Sequence, residues 1–186
     1  MKFFKKPFVA ALVCVLVVLI SSSVSISVKL NRECEKVVDN FYEGKMQGGQ
    51  VVNSIYGDIV KMYELAENIV IIADNYGIDT RSLVSDIAEL KDALNYKNPD
   101  AGDIYNEFSE FYSNLWAVEI ELSNTQLSQR HLEYMRSASQ EISRLKTSIE
   151  SSDYNSIVRT FYKRFDRFPV NIFAGIFDIE YPEYFA

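Results

Sequence analysis

With 186 residues the chain has room for one domain and an anchor, not two full domains. Its formal net charge is −7, and setting aside Lys2, Lys5 and Lys6 leaves the remainder more acidic still. An acidic body excludes nucleic acid as a partner, because phosphate neutralisation needs clustered Lys and Arg. It holds 12 Tyr and 12 Phe but only 7 Gly and 4 Pro, no Pro interrupts a strongly periodic stretch, and runs of alternating strand pattern are absent. An all-α fold follows, with aromatic side chains filling its seams.

The start is basic (MKFFKK), every residue from Phe8 to Ile20 is apolar, and Pro7 to Val28 carries no charge. That is about the ~20 residues a helix needs to cross a bilayer. A retained signal-anchor over residues 1–28 is the reading that fits the whole uncharged span. A cleaved signal peptide is the alternative, with Ser21 to Ser27 as the region of cleavage. The bilayer is then a partner through Phe8–Val28. The short basic start favours a single-pass protein in the cell membrane with its body outside the cytoplasm. Cys14 lacks the setting of a lipid-modified Cys, and its separation from Cys34 argues against a disulfide.

Residues 29–186 form the second unit. Leu30, Cys34, Val37, Phe41 and Gly44 continue a heptad-like stripe out of the anchor, and Gly48-Gly49 offers a turn. Val52, Ile55, Ile59, Met62, Ala66, Ile69, Ala73 and Tyr76 alternate steps of three and four, which predicts a helix capped by Gly77. Asp79 or Thr80 can start the next, with Leu83, Ile87, Leu90 and Leu94 as its stripe and Asn98-Pro99-Asp100 as its stop. Ile104, Phe108, Phe111, Leu115, Val118 and Leu122 make a further helix, and the capping-box spacing of Ser123 and Gln126 suggests a break there.

From Gln126 to Phe168 the sequence reads as one long helix, about 65 Å at ~1.5 Å per residue. Met135, Ala138, Ile142, Leu145 and Ile149 are one stripe; Tyr154, Val158, Phe161, Phe165 and Phe168 are a second. A step of five between them rotates the seam near Ser151 to Asp153. Pro169 ends the helix, and Gly175 permits a tight reversal. The expected architecture is an elongated antiparallel bundle of three to four long helices with coiled-coil-like seams. The tail residues Phe173, Ile176, Phe177, Tyr181, Tyr184 and Phe185 fold back to seal one end of it, or else form a patch for a partner or a membrane surface.

The stretch from Tyr154 to Phe177 resembles the C-terminal signature of the LemA family. The matching positions are Tyr154, Asn155, Phe168, Pro169, Ala174, Gly175, Phe177, Tyr184 and Phe185. Upstream, Ala66-Glu67-Asn68-Ile69-Val70 departs from the family pattern, so the chain looks like a divergent member. The resemblance implies a membrane-anchored bacterial helical bundle without an established catalytic activity.

No motif assembles chemistry. His131 is the single His, on the extrapolated stripe, with no carboxylate four residues away, so hydrogen-bonded packing is its expected role. Glu119 and Glu121 do not converge on a helix. Asp100, Asp103 and Glu107 suit a helix start. No nucleophile elbow and no phosphate-binding Gly loop occurs. Arg136, Arg144, Lys146, Arg159, Lys163, Arg164 and Arg167 make the final helix basic, which pairing with acidic neighbours explains; a site for lipid headgroups or an acidic partner is the alternative. No catalysis, cofactor or metal is expected. An interaction or scaffolding role with a protein partner is the favoured function, and a ligand-sensing bundle with a polar-lined pocket near Ser151 to Asp153 is the alternative. The candidate interaction or tail-docking residues are Phe168, Pro169, Phe173, Gly175, Phe177, Tyr184 and Phe185.

Overall fold

The computed structural model describes residues 7–47, 50–52, 54–95 and 101–186; the side chains of 7–10, 16, 19, 20, 45–47 and 50–52 lie outside that description. The described residues form seven helices and one short hairpin: α1 (Pro7–Glu43), β1 (Lys45–Gln47), β2 (Gln50–Val52), α2 (Ile55–Asn75), α3 (Arg81–Asn95), α4 (Ala101–Ser123), α5 (Gln129–Glu150), α6 (Tyr154–Phe165) and α7 (Val170–Ile176). The protein is all-α apart from that hairpin, in which Lys45 faces Val52 and Gln47 faces Gln50. Strands of three residues are too short to show an alternating pattern, so the sequence reading missed them. Gly44, expected on the first stripe, has φ 73 and closes α1 instead. Val52 lies in β2 rather than on the stripe of α2. The expected Gly48-Gly49 turn and the Asn98-Pro99-Asp100 stop fall outside the described residues.

The helix boundaries follow local chemistry. Ser54 accepts the Gly57 N–H at 2.9 Å and so caps α2. At the other end Gly77 adopts φ 72, Ile78 N–H donates to Ala73 O, and Gly77 N–H donates to Asp74 O. Those two bonds satisfy carbonyls that the last turn leaves over. The break expected near Ser123 is present. The residue that starts α5, however, is Ser128, whose hydroxyl accepts the His131 N–H.

α2, α3, α4 and α5 pack side by side, with α2–α3, α3–α4, α4–α5 and α2–α5 pairs all running antiparallel. Lys91 of α3 bonds Glu67 of α2, Asn114 of α4 donates to Asp86 of α3 at 2.7 Å, and Ser139 of α5 donates to Glu119 of α4. Tyr76, just past α2, meets His131 in the first turn of α5. Each predicted stripe is the buried face: Ile59, Met62, Ile69, Leu83, Leu90, Ile104, Phe111, Leu115, Leu122, Ile142 and Leu145 are at most 1% exposed. Each such side chain contributes roughly 1.5–3 kcal/mol by leaving water.

The predicted 65 Å helix is in fact two. α5 stops at Glu150 and α6 starts at Tyr154. Ser151 donates to Ser148 O and Ser152 accepts the Tyr154 N–H, so the intervening turn supplies its own hydrogen bonds. The step of five moves the stripe about 140° round a helix of 3.6 residues per turn. The second stripe thereby turns from α2 to α1. Tyr154, Val158, Phe161 and Phe165 bury against Leu30, Cys34, Val37 and Phe41. α1 and α6 are antiparallel, with Phe41 5.4 Å from Tyr154 at one end and Glu33 3.8 Å from Arg164 at the other. Phe168, placed on that stripe by the sequence, is 81% exposed.

The basic face of α5 and α6 is less paired than expected. Among the described residues Arg164 is the one basic side chain of this face in an ion pair with another helix; Arg144 pairs with Glu141 and Lys146 with Glu150 within α5. Among the described residues no ion pair involves Arg136, Arg159, Lys163 or Arg167. Cys14 and Cys34 carry free thiols, the first exposed and the second buried.

Two stability predictions follow from these contacts. Leu115→Ala should cost about 2–5 kcal/mol in denaturant unfolding, against about 1–2 kcal/mol for Gly77→Ala, which forces a Cβ into the left-handed region. Burial holds the Glu119 carboxyl above its ordinary 4.5, against the lowering effect of the Ser139 hydrogen bond. Its contribution to stability is therefore full below 4.5 and lost as pH rises through the raised value. Glu119→Gln should melt no lower than the parent at neutral pH and show a flatter pH profile between 4.5 and the raised value.

Candidate interaction surfaces at the helix junction

The α2–α5 bundle and the α1–α6 pair meet in an aromatic cluster. Phe41 lies 5.2 Å from Tyr42 and 5.4 Å from Tyr154, and Tyr42 lies 5.2 Å from Tyr56, at ring centroids. The last residues of the chain run into this cluster. Phe185 is 7% exposed and its ring sits 5.6 Å from Phe41, 5.1 Å from Tyr105 and 6.0 Å from Phe108. It thus touches α1 and α4 together. Edge and tilted ring contacts of this kind are the favoured geometry for aromatic quadrupoles.

Asn155 holds the backbone of that residue. Its Nδ2 donates to Phe185 O at 2.8 Å, and its Oδ1 accepts the Phe185 N–H at 2.9 Å. A carboxamide carries the donor and the acceptor on separate atoms, as this pairing needs; Asp lacks the donor and Leu has neither. Next to it, Tyr154 donates to Glu183 O at 2.9 Å. Tyr154-Asn155 and the closing aromatics, the two ends of the stretch that carries the sequence resemblance, are therefore joined directly.

Between Ile176 and Phe185 the chain forms a strap along α1 and α6. Tyr181 packs 5.2 Å from Phe161 and 5.5 Å from Tyr162 and donates to Phe165 O at 3.3 Å, while Tyr184 stacks on Tyr162 at 5.8 Å. Pro182 is buried. Burial pushes the Cys34 thiol beneath the strap up to about 11 and the Tyr42 hydroxyl up to about 12. Tyr162 and Tyr181 are raised for the same reason, with nearby carboxylates adding to it.

The candidate tail residues thus separate into two groups. Phe185 docks in the junction and Tyr184 lies over Tyr162; Phe173 is half-buried. Phe168 and Phe177 face outward, at 81% and 40% exposed. Pro169 does not end α6, which stops three residues before Phe168 with Asp166 as its C-cap; Pro169 sits at the start of α7. The residue before a proline is pushed out of the helical region, while proline's missing N–H costs nothing in a first turn. Gly175 lies inside α7 with open space around it, and the reversal falls at Asp178, φ 50, where Ile179 N–H donates to Ala174 O.

Beside Phe185 is a cleft of ≈ 290 Å³ at the α5–α6 break. Tyr105, Phe108 and Tyr112 wall it, and Lys146, Ser152 and Asn155 supply polar groups. The Lys146 ammonium stands 4.2 Å above the centre of the Tyr112 ring, a cation–π arrangement. At the opposite end of the bundle His131 is hydrogen-bonded, as expected: Ser128 N–H donates to the Tyr76 hydroxyl, which lies 3.0 Å from His131 Nδ1. Glu107 is raised by burial and by Glu89, Glu110, Asp86 and Asp103 around it, as an acidic cluster at the α3–α4 face demands. Among the described residues no group of His, Cys, Asp or Glu is arranged to hold a metal ion.

The sequence reading placed weight on Phe177 and missed Asn155 as the latch; its signal was the Tyr154-Asn155 pair itself. Phe185→Ala should cost about 3–5 kcal/mol in denaturant unfolding. Asn155→Ala should cost about 1–3 kcal/mol, from two hydrogen bonds of roughly 0.5–1.5 kcal/mol each. Phe177→Ala should stay within about 0.5–1 kcal/mol. Equal costs at 185 and 177 would show that the strap is not latched in this way. Compared with known proteins, the chain matches no family model, no curated protein and no solved structure.

Proposed function

We propose that this is a membrane-anchored helical-bundle protein of LemA type. Residues 1–28 hold it in the cell membrane as a single pass. Residues 29–186 form an elongated LemA-like domain outside the cytoplasm that works by binding or scaffolding a protein partner, without catalysis. The observation that carries this reading is the continuity of α1, a single 37-residue helix. Its later part is locked into the α1–α6 seam through Leu30, Cys34, Val37 and Phe41. Its earlier part presents Leu12, Val15, Val17, Val18, Val24 and Val28, each 50% or more exposed. Exposed apolar side chains in that number mark a surface made for another apolar phase. Among the described residues no helix is long and apolar enough to cross a membrane, and the proposed anchor includes residues 1–6 and side chains outside that description.

A ligand-sensing bundle is the second reading, favoured by the cleft at the α5–α6 break. Aromatic walls with a few polar groups suit a small amphiphilic molecule. A shift of Phe185 would pass to α1 through Phe41. Native mass spectrometry of the detergent-purified chain should then reveal a bound small molecule that Ser109→Trp, in the lining of the cleft, displaces. Finding none, in parent or variant, sinks this second reading.

For the anchor, the full chain should float with phospholipid vesicles and resist alkaline carbonate extraction. Val17→Asp should release a large fraction, since a carboxylate at the centre of a span costs about 2.5–3.5 kcal/mol. Parent protein that stays in the soluble fraction would rule the anchor out. Crosslinking in intact membranes through an introduced photoreactive group at Trp116 tests for the partner.

A further inference from the structure

Phe168, Ile172 and Ile176 follow one another at intervals of four residues, just before and along α7, and are 81%, 50% and 66% exposed. Residues so spaced form a ridge on one side of a helix. The inward side of α7 buries Ala174 and half-buries Val170 and Phe173. Val170, Phe173 and Ala174 turn toward the protein, while Phe168, Ile172 and Ile176 stay outside, and that outward ridge calls for something to cover it.

The position of α7 identifies the cover. α7 packs against α1. The last turn of α6 already stands opposite Glu33, where Arg164 approaches it at 3.8 Å. Leu30 is 1% exposed, and Ser23, Ile26 and Ser27 continue its face as half-buried residues beyond the end of α6. α7 is the element that lies over this part of α1. On α1 itself the uncharged run ends at Val28, and exposed Lys29 and Arg32 follow. The ridge consequently stands at the height where α1 changes from apolar to charged. Ser23 to Leu30 rises about 10 Å at ~1.5 Å per residue, which matches the roughly 5–10 Å to which interfacial helices sink.

Charges of both signs lie near α7. Lys163 and Arg167 are exposed next to the ridge, and among the described residues neither forms an ion pair. Asp166, Asp178 and Glu180 line a hollow with Asn171, Ala174 and Gly175 of α7, and Asp178 and Glu180 also lie beside Asn31 and Cys34 of α1.

We infer that Phe168 and the outer face of α7 form a second, peripheral contact with the lipid bilayer, beside the α1 span, with Lys29, Lys163 and Arg167 meeting lipid phosphates. This rests on the anchor reading of α1. A ridge of three side chains would not hold a free protein on a membrane. Tethered by α1 it acts at high effective concentration. Two points of attachment on adjoining helices would fix the tilt and rotation of the bundle above the surface, and with them the face shown to a partner.

The test uses the full chain carrying Trp116→Phe and Phe168→Trp, reconstituted into phosphatidylcholine–phosphatidylglycerol vesicles with acyl chains brominated near the headgroup end. Bromine quenches only a tryptophan in contact with lipid. The expected result is loss of most of the emission at position 168, while Trp116 of the parent, 59% exposed on α4, keeps its emission. Ile172→Glu with Ile176→Glu should restore emission at 168 without preventing flotation. A chain that does not float overturns the anchor and this contact together. A chain that floats but is unquenched at 168 overturns this contact alone and leaves the anchor standing. A blue shift without quenching would mean burial against protein, a partner or a second copy, and would equally overturn it. So would equal quenching at 116 and 168, which would mean that the body lies on the membrane without preference for α7.

Discussion

One carboxamide connects the parts of this protein. Asn155 bonds both backbone groups of Phe185, 30 residues away, and the ring it holds in place touches α1 and α4 at once. Ordering an extended strap loses backbone entropy at every residue, about 1–2 kcal/mol each. Burial of Phe185, Pro182 and part of Tyr181 offsets that loss only because α1, α6 and the bundle already present a surface. The strap therefore depends on the junction, and the junction is incomplete without it. Without Phe185, the contact between Phe41 and the α4 rings would be a void, and the α1–α6 arm would be tied to the bundle mainly through Tyr42, Tyr56 and the covalent turns.

The same junction explains why α5 and α6 are separate helices. A continuous helix would bury a single partner along one line, and this chain has two partners for it. α5 packs on α2, and α6 packs on α1. Three residues, Ser151 to Asp153, make the change of direction with their hydrogen bonds met locally. The break also leaves the cleft beside Phe185, so a latch, a change of helix partner and an opening with polar groups coincide in one place. Any event that loosens the latch would be felt by α1 before it reached the far end of the bundle.

At the other end of the arm the polarity is reversed. The strap buries Phe185 and half-buries Tyr181, but α7 leaves Ile172 and Ile176 exposed beside the exposed Phe168. A surface helix with a soluble fate does the opposite. The uncharged part of α1 adds further exposed apolar side chains, among them Val17, Val18, Val24 and Val28.

The sequence by itself determined the helices and their buried faces, because a stripe at steps of three and four admits only one inward side. Ile59 to Ala73, Leu83 to Leu94, Ile104 to Leu122 and Met135 to Ile149 needed nothing more. Gly77 as a cap and His131 as a packed residue were legible for the same local reasons. Tertiary structure decided what periodicity does not encode. A step of five between two stripes reads equally as a rotated seam and as a break, and only the presence of α1 across from Tyr154 makes it a break. A run of Phe, Ile and Tyr says that burial is wanted but not where. Phe185 finds the junction, whereas Phe168 and Ile176, no less apolar, find no protein surface at the height where α7 leaves them. Asn155 shows the limit most clearly: a polar residue near a helix start is unremarkable until the chain returns 30 residues later and puts a peptide group against it.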